Sequence, residues 1–188
     1  MKMPDELLVP FSEDVVEKTP LNKDHKFLDH NRTLDINWTR IHNWIPEYLT
    51  SETKIVDISC GNGATLEVLR YYKCDYLGVD INDGYIDLLQ DKKLNYIKHD
   101  CSKSPYPFTD QQFDVLINYG AITFYGDLSV WPAVLSEFER ITKKCILLGV
   151  NVGGYYDNGG DELIKNWISQ SNFVLNRQYR STYKLLRK

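Results

Sequence analysis

Three carboxylates and a glycine pair stand where apolar runs of this chain stop, and that spacing suits the binding of a polar ligand. In Lys54-Ile55-Val56-Asp57-Ile58-Ser59-Cys60-Gly61-Asn62-Gly63 a short apolar strand ends in an acid and a Gly-x-Gly turn follows. A helical pattern begins at Ala64-Thr65-Leu66-Glu67-Val68-Leu69. Glycines at such a turn let a ligand approach the main chain, and the helix start presents N–H groups to it. The run Tyr76-Leu77-Gly78-Val79 ends in Asp80, a carboxylate able to accept both hydroxyls of a ribose. Asn95-Tyr96-Ile97-Lys98 leads to Asp100, and Phe113-Asp114-Val115-Leu116-Ile117 leads to Asn118-Tyr119-Gly120. Polar groups thus recur at the carboxyl ends of consecutive strands, where open α/β sheets bind ligands.

This order of motifs resembles the class I S-adenosylmethionine-dependent methyltransferases, well from Ile55 to Asn151 and in outline at both ends. The resemblance implies a cofactor site. Asp57, Gly61 and Gly63 match the loop that holds the methionine part of the cofactor, with Ser59 and Cys60 inside it. Ser59 departs from the family, which usually has a first glycine there. Asp80 matches the ribose-binding acid and Ile81 the apolar residue packing on adenine. Asp100 with Cys101 matches the adenine-edge position, and Asn118 with Tyr119 the strand end beside the reacting methyl group.

The elements that must position these residues follow from periodicity. Trp38, Ile41 and Ile45 recur at helical spacing until Pro46 interrupts. The helix after the glycine turn runs to about Tyr72, and Asp83 is expected to cap the next, through Tyr85, Ile86, Leu88 and Leu89. Pro105 and Pro107 mark a loop from Ser102 to Thr109, and Pro132 opens a helix carrying Val134, Leu135, Phe138 and Ile141. Cys145 to Val150 is an apolar run suited to a central parallel strand, and a helix with Leu163, Ile164, Trp167 and Ile168 follows. Phe173 to Tyr179 and Thr182 to Leu186 read as two strands joined by a tight turn. The expected fold class is α/β, a doubly wound and mostly parallel sheet with helices on both faces. The resemblance implies seven strands with the last antiparallel. Residues 1–188 are expected to form one domain, with 1–50 as an arm or lid, including a short helix around Asp14 to Lys18, and 51–188 as the cofactor-binding core.

The chain has 188 residues, 43% hydrophobic and 13% aromatic, and so can bury a full core. No stretch is apolar enough to cross a bilayer, and the acidic start Met1-Lys2-Met3-Pro4-Asp5-Glu6 lacks a secretory signal's apolar core, so a cytoplasmic protein is expected. The net charge of -4 argues against an extensive nucleic-acid footprint. The basic C-terminal residues Arg177, Arg180, Lys184, Arg187 and Lys188 read as solvated edge charges. Cys60, Cys74, Cys101 and Cys145 form no Cys-x-x-Cys pair, so no metal site is expected, and Cys60 and Cys101 read as small packing residues.

Methyl transfer from a sulfonium needs alignment above all, worth roughly 7–11 kcal/mol, and a general base adds about 10²–10⁴-fold. His30, beside Asp29, is the preferred base, ahead of His25; His42 and His99 read as packing or surface residues. The acceptor pocket is expected from the lid, the loop Tyr119 to Tyr125 and the loop Asn151 to Asn158, with Tyr119, Phe124, Tyr125, Tyr155 and Tyr156 as its aromatics. Tyr119 joins His30 as a catalytic candidate. Asn118-Tyr119-Gly120-Ala121 lacks the paired prolines of the amino-methylating nucleic-acid enzymes and the Pro-Cys of the cytosine-carbon enzymes. A small-molecule acceptor methylated at oxygen or nitrogen, such as a sugar or another metabolite, is therefore favoured; its identity and the oligomeric state stay open. The competing readings are a non-catalytic cofactor-binding or interaction module and a nicotinamide-dependent oxidoreductase. The latter's fingerprint requires a third glycine where Leu66 stands.

Overall fold

This computed structural model describes residues 2–8, 30–150 and 159–188, the side chains of residues 30–32 excepted. Helices and strands alternate in the order α1 (His30–Trp44), β1 (Lys54–Ile58), α2 (Ala64–Tyr71), β2 (Asp75–Asp80), α3 (Asp83–Asp91), β3 (Tyr96–Lys98) and β4 (Phe113–Tyr119). Then come α4 (Trp131–Ile141), β5 (Thr142–Gly149), α5 (Asp161–Gln170), β6 (Phe173–Tyr179) and β7 (Thr182–Arg187). The strands form one seven-stranded sheet in the order β3-β2-β1-β4-β5-β7-β6. The pairs β1–β4, β2–β3 and β4–β5 are parallel, and β7 runs antiparallel to both β5 and β6. This is the expected Rossmann-like α/β architecture with its antiparallel last strand.

Two compact units make up the chain, Met1–Thr53 with Ser59–His99, and Lys54–Ile58 with Asp100–Lys188. In the first, α1 packs on α2, and α2 on β2. Leu34, Trp38 and Ile41 form the buried stripe of α1, continued by the buried Ile45 just after it, which explains why this helix holds despite its polar remainder. His42 is a packing residue as expected. Its Nδ1 meets the Trp38 carbonyl at 2.7 Å and its Nε2 the Tyr72 hydroxyl at 2.6 Å. In the second unit β1, β4 and β5 are apolar throughout their centres, and Ile55, Val115, Leu116, Ile146 and Leu147 are buried. Strands covered on both faces have no use for polar alternation.

Two local expectations need correction. Asn82, not Asp83, caps α3, because Asn82 has extended backbone and its Oδ1 accepts from Gly84 N at 2.9 Å. Asp83 is the first helical residue; there its charge meets the helix dipole and pairs with Lys98. The basic C-terminus is also not simply solvated. Lys184 is buried. Arg187 donates to the carbonyls of Glu139 and Thr142, binding the last strand to the end of α4, and its guanidinium lies 4.7 Å from the Phe173 ring centre. Lys188 Nζ donates to the Ser171 carbonyl at 2.8 Å. These carbonyls close helices or turns, where a cation is favoured. Arg177 and Arg180 are exposed, as expected.

Candidate functional site

The first unit carries the glycine turn and the end of β2. Ser59, Gly61 and Gly63 all lie in the left-handed region, with φ of 58°, 56° and 79°. Ser59 thus adopts the conformation that the missing glycine would take, at a cost of about 1–2 kcal/mol. Cys60 N donates to Val79 O at 3.0 Å and Gly63 N to Cys60 O at 3.1 Å, which folds the turn back on β2. Asn62 Oδ1 accepts from Ala64 N at 3.2 Å and so starts α2.

Asp80 is almost wholly buried, and both of its oxygens hold main-chain N–H groups. Oδ2 accepts from Gly61 N and Oδ1 from Asn82 N, each at 2.9 Å. The carboxylate therefore ties the glycine turn to the start of α3, and each oxygen keeps a further lone pair. Ile81 beside it is 50% exposed, an apolar surface that a flat ring could cover.

Over Gly61 there is room. A Cβ there would meet only the Tyr85 ring, at 3.9 Å. Gly63 and Gly78 are different, because a Cβ on Gly63 would fall 2.6 Å from Leu89 and Leu94, and one on Gly78 2.5 Å from Leu66 and 2.8 Å from Cys60 Sγ. Leu66 stands where a dinucleotide fingerprint has its third glycine. Here the bulk is on the helix and the glycine on the strand, so close helix–strand packing is reached with the sizes reversed. Cys60 is the small packing residue the sequence suggested.

In the second unit Asp57 is buried near the carboxyl end of β1, opposite Ile117. Asn118 is fully buried and braced. Its Nδ2 donates to Ile58 O and to the Tyr125 hydroxyl, both at 3.0 Å, and its Oδ1 accepts from Ile122 N at 3.3 Å. The Tyr119 ring lies over Gly149, where a Cβ would approach it to 2.5 Å, and its hydroxyl meets Thr182 Oγ1 at 3.1 Å. Phe124, in the short 3-10 turn after β4, is 78% exposed.

Asp100 and Cys101 follow β3. Asp100 Oδ1 accepts from Ser102 N at 3.1 Å and Ser102 Oγ at 2.6 Å, and Oδ2 pairs with Lys103 at 2.9 Å. Ser102, then Lys103, hold the carboxyl down at about 2 from an ordinary 3.8. A depressed carboxyl adds stability above its unfolded value that is lost as pH falls toward the folded one. Asp100 is therefore expected to stay ionised to about pH 2, and a carboxyl NMR titration with its midpoint near 3.8 would refute this bonding.

The loop beyond is held from α4. Arg140 donates to Glu137, to the carbonyls of Tyr106 and Phe108, and to Asp110 at 2.9 Å, while Glu137 accepts from Tyr106 N at 2.6 Å.

Of the expected catalytic pair, His30 begins α1 with its side chain outside the described residues, and only Tyr119 can be placed. His25, the expected helix at 14–18, Tyr155, Tyr156 and the loop 151–158 also lie outside them; of the three expected pieces of the acceptor pocket, the loop Tyr119 to Tyr125 is described in full and the arm 1–50 in part. Asn62 and Tyr106 were not singled out in the sequence, and Tyr85 appeared there only as a helix residue, lying within the first turn of the helix that Asp80 leads into. Tyr125, expected as a pocket aromatic, instead has its hydroxyl on Asn118 Nδ2.

Residues 56–145 match a family model described as a methyltransferase domain. Over these residues, just under half of its length, the chain is similar to that family. A ubiquinone/menaquinone biosynthesis C-methyltransferase of Campylobacter jejuni is 26% identical over 153 residues, 74% of this chain and 63% of that protein. The chain thus spans less than two thirds of the curated relatives' length. A SAM-dependent methyltransferase from Archaeoglobus fulgidus is similar in structure, with a TM-score of 0.64 at 21% identity over 80% of this chain and 75% of that one. A magnesium protoporphyrin IX methyltransferase from Synechocystis, solved with SAM bound, has a TM-score of 0.64 at 13% identity, covering 93% and 90%. At these identities the two structures establish the methyltransferase fold and no more. Among the described residues no helix is long and apolar enough to cross a membrane.

Proposed function

We propose that this protein transfers a methyl group from S-adenosylmethionine to a small organic acceptor, at oxygen or nitrogen, by in-line displacement. The observation that carries the reading is Asp80, a buried carboxylate aligned by two main-chain N–H groups beside the open turn at Gly61 and the half-exposed Ile81. Such a carboxylate suits a ribose diol, and Ile81 with Tyr85 suits an adenine. Asp57, Ser59, Cys60, Gly61 and Gly63 would receive the methionine part, and Asp100, Cys101, Asn118 and Tyr119 would complete the set. The bound cofactor supplies an already activated methyl group; the chain's task is alignment and exclusion of water. His30 and Tyr119 are the groups proposed to meet the acceptor. The names of the curated relatives support a second reading, transfer to carbon.

Calorimetry and thermal melts with S-adenosylmethionine and S-adenosylhomocysteine test the proposal. At 100 times its dissociation constant a ligand adds about 2.7 kcal/mol, roughly 5–10 °C at this chain length. Binding of NADH with no binding of either adenosyl ligand would overturn it. Methyl transfer to any acceptor would eliminate the non-catalytic reading.

A further inference from the structure

The adenine-edge corner of the second unit is built from within, by a residue that need not touch a ligand. Tyr106 is 3% exposed, and its hydroxyl donates to the Cys101 carbonyl at 2.6 Å. Burial pushes the phenol far up, with the nearby Tyr125 next in effect, so Tyr106 is a neutral donor at any working pH. Its ring packs on Phe138 of α4 at 6.3 Å between centres. Its main chain is clamped on both sides, with its N–H on Glu137 and its carbonyl on Arg140. Tyr106 is therefore a fixed post, anchored to a helix, from which one bond reaches back to Cys101. On the neighbouring residue Ser102 holds Asp100 by two bonds to the same oxygen, 2.6 and 3.1 Å. The Cys101 carbonyl and the Asp100 carboxylate, adjacent in the chain, are thus held separately, the first by Tyr106 and the second by Ser102 and Lys103.

We infer that Tyr106, with Ser102, is a positioning residue for adenine recognition, setting the Cys101 peptide and the Asp100 carboxylate at the angle that reads the purine edge. The inference rests on the cofactor reading above. An adenine edge offers an exocyclic amine, which needs an acceptor, next to a ring nitrogen, which needs a donor. The Asp100 carboxylate supplies the acceptor and the Cys101 N–H the donor only if neither swings, and the Tyr106 bond fixes Cys101 through its carbonyl. Loosening either group costs recognition of that edge and leaves the ribose and methionine contacts intact.

The test titrates the wild type and Tyr106→Phe with S-adenosylhomocysteine and with its inosyl counterpart, in which a 6-oxo group replaces the amine. Phenylalanine keeps the ring on Phe138 and removes only the hydroxyl. The wild type should prefer the adenosyl ligand. Tyr106→Phe should bind that ligand about fivefold more weakly and the inosyl one unchanged, so the preference falls by the same factor. A role in folding alone lowers the melting temperature and leaves the preference where it was. An unchanged preference in folded variant, or equal weakening of both ligands, overturns the inference. Failure of the cofactor reading shows itself separately, as a wild type that binds neither ligand, and removes the inference with it. Should Tyr106→Phe not fold, Ser102→Ala releases the Asp100 carboxylate from an accessible turn, and the same loss of preference is expected.

Discussion

Asp80→Ala is expected to weaken S-adenosylmethionine binding at least a hundredfold. The carboxylate has two tasks. It holds Gly61 N and Asn82 N, each at 2.9 Å, and in the proposed complex its spare lone pairs take the ribose hydroxyls. A hydrogen bond to a charged group contributes about 1.5–3 kcal/mol, so two lost ribose bonds amount to roughly 3–6 kcal/mol before any loosening of the turn. The alanine also leaves two main-chain donors without their acceptor, which lowers stability by an additional ~1–3 kcal/mol if water does not replace it. Asp80→Asn separates the tasks, because an amide keeps the shape and one acceptor but loses the charge. Calorimetry should place it between the wild type and the alanine variant. Equal affinities for all three would remove Asp80 from the site.

Lys92→Met is expected to carry the largest cost in stability, about 3–5 kcal/mol, or roughly 6–20 °C in melting temperature. Lys92 and Glu67 are both buried in the first unit, with Nζ and Oε2 3.6 Å apart. Arg70 reaches the same oxygen at 3.8 Å and donates to the Lys92 carbonyl at 2.7 Å. Burial pushes Glu67 up and Lys92 down, and each one's opposite charge partly restores it. Removing the lysine strands a carboxylate in the core, while replacing both members of such a pair is often nearly neutral. The double variant Glu67→Gln, Lys92→Met should therefore regain most of the loss.

The pH dependence follows from the direction of the Glu67 shift. A carboxyl raised above its ordinary 4.5 is penalised in its charged form. That penalty is absent where the group is protonated in both states, and it grows as pH rises through and beyond that value. The deficit of Lys92→Met relative to the wild type should accordingly be larger at pH 8 than at pH 5. Melts showing the opposite trend, or a double variant no better than the single, would show that the pair does not carry this cost.

The glycine turn, the acids at the strand ends and the apolar runs were legible because their information is local. A strand buried on both faces must be apolar over consecutive residues, as at Cys145 to Leu148, and a left-handed turn shows itself by glycine at 61 and 63. The alternation of such segments was enough to predict a parallel α/β sheet. The cap of α3 went to the wrong residue because Asn82 and Asp83 are both competent caps, and only the backbone angles choose between them.

Other features depended on partners distant in the chain. Tyr106 acquires its role from Glu137 and Arg140, more than 30 residues away, and Arg187 from the end of α4. Lys184 and Arg187 look like surface charges in sequence because nothing local distinguishes a solvated cation from a buried one or from one that closes a helix. Gly78 gives no turn signal at all; it is glycine because Leu66 and Cys60 come within 2.5 and 2.8 Å of the place its side chain would take. The sequence by itself thus determined the fold class and the placing of the glycine turn and acids near the strand ends, which are the residues proposed to meet a nucleoside, since period, turn chemistry and strand-end acids act over a few residues. The tertiary structure alone decided which groups hold those residues in place, since hydrogen bonds and close packing depend on distance in space.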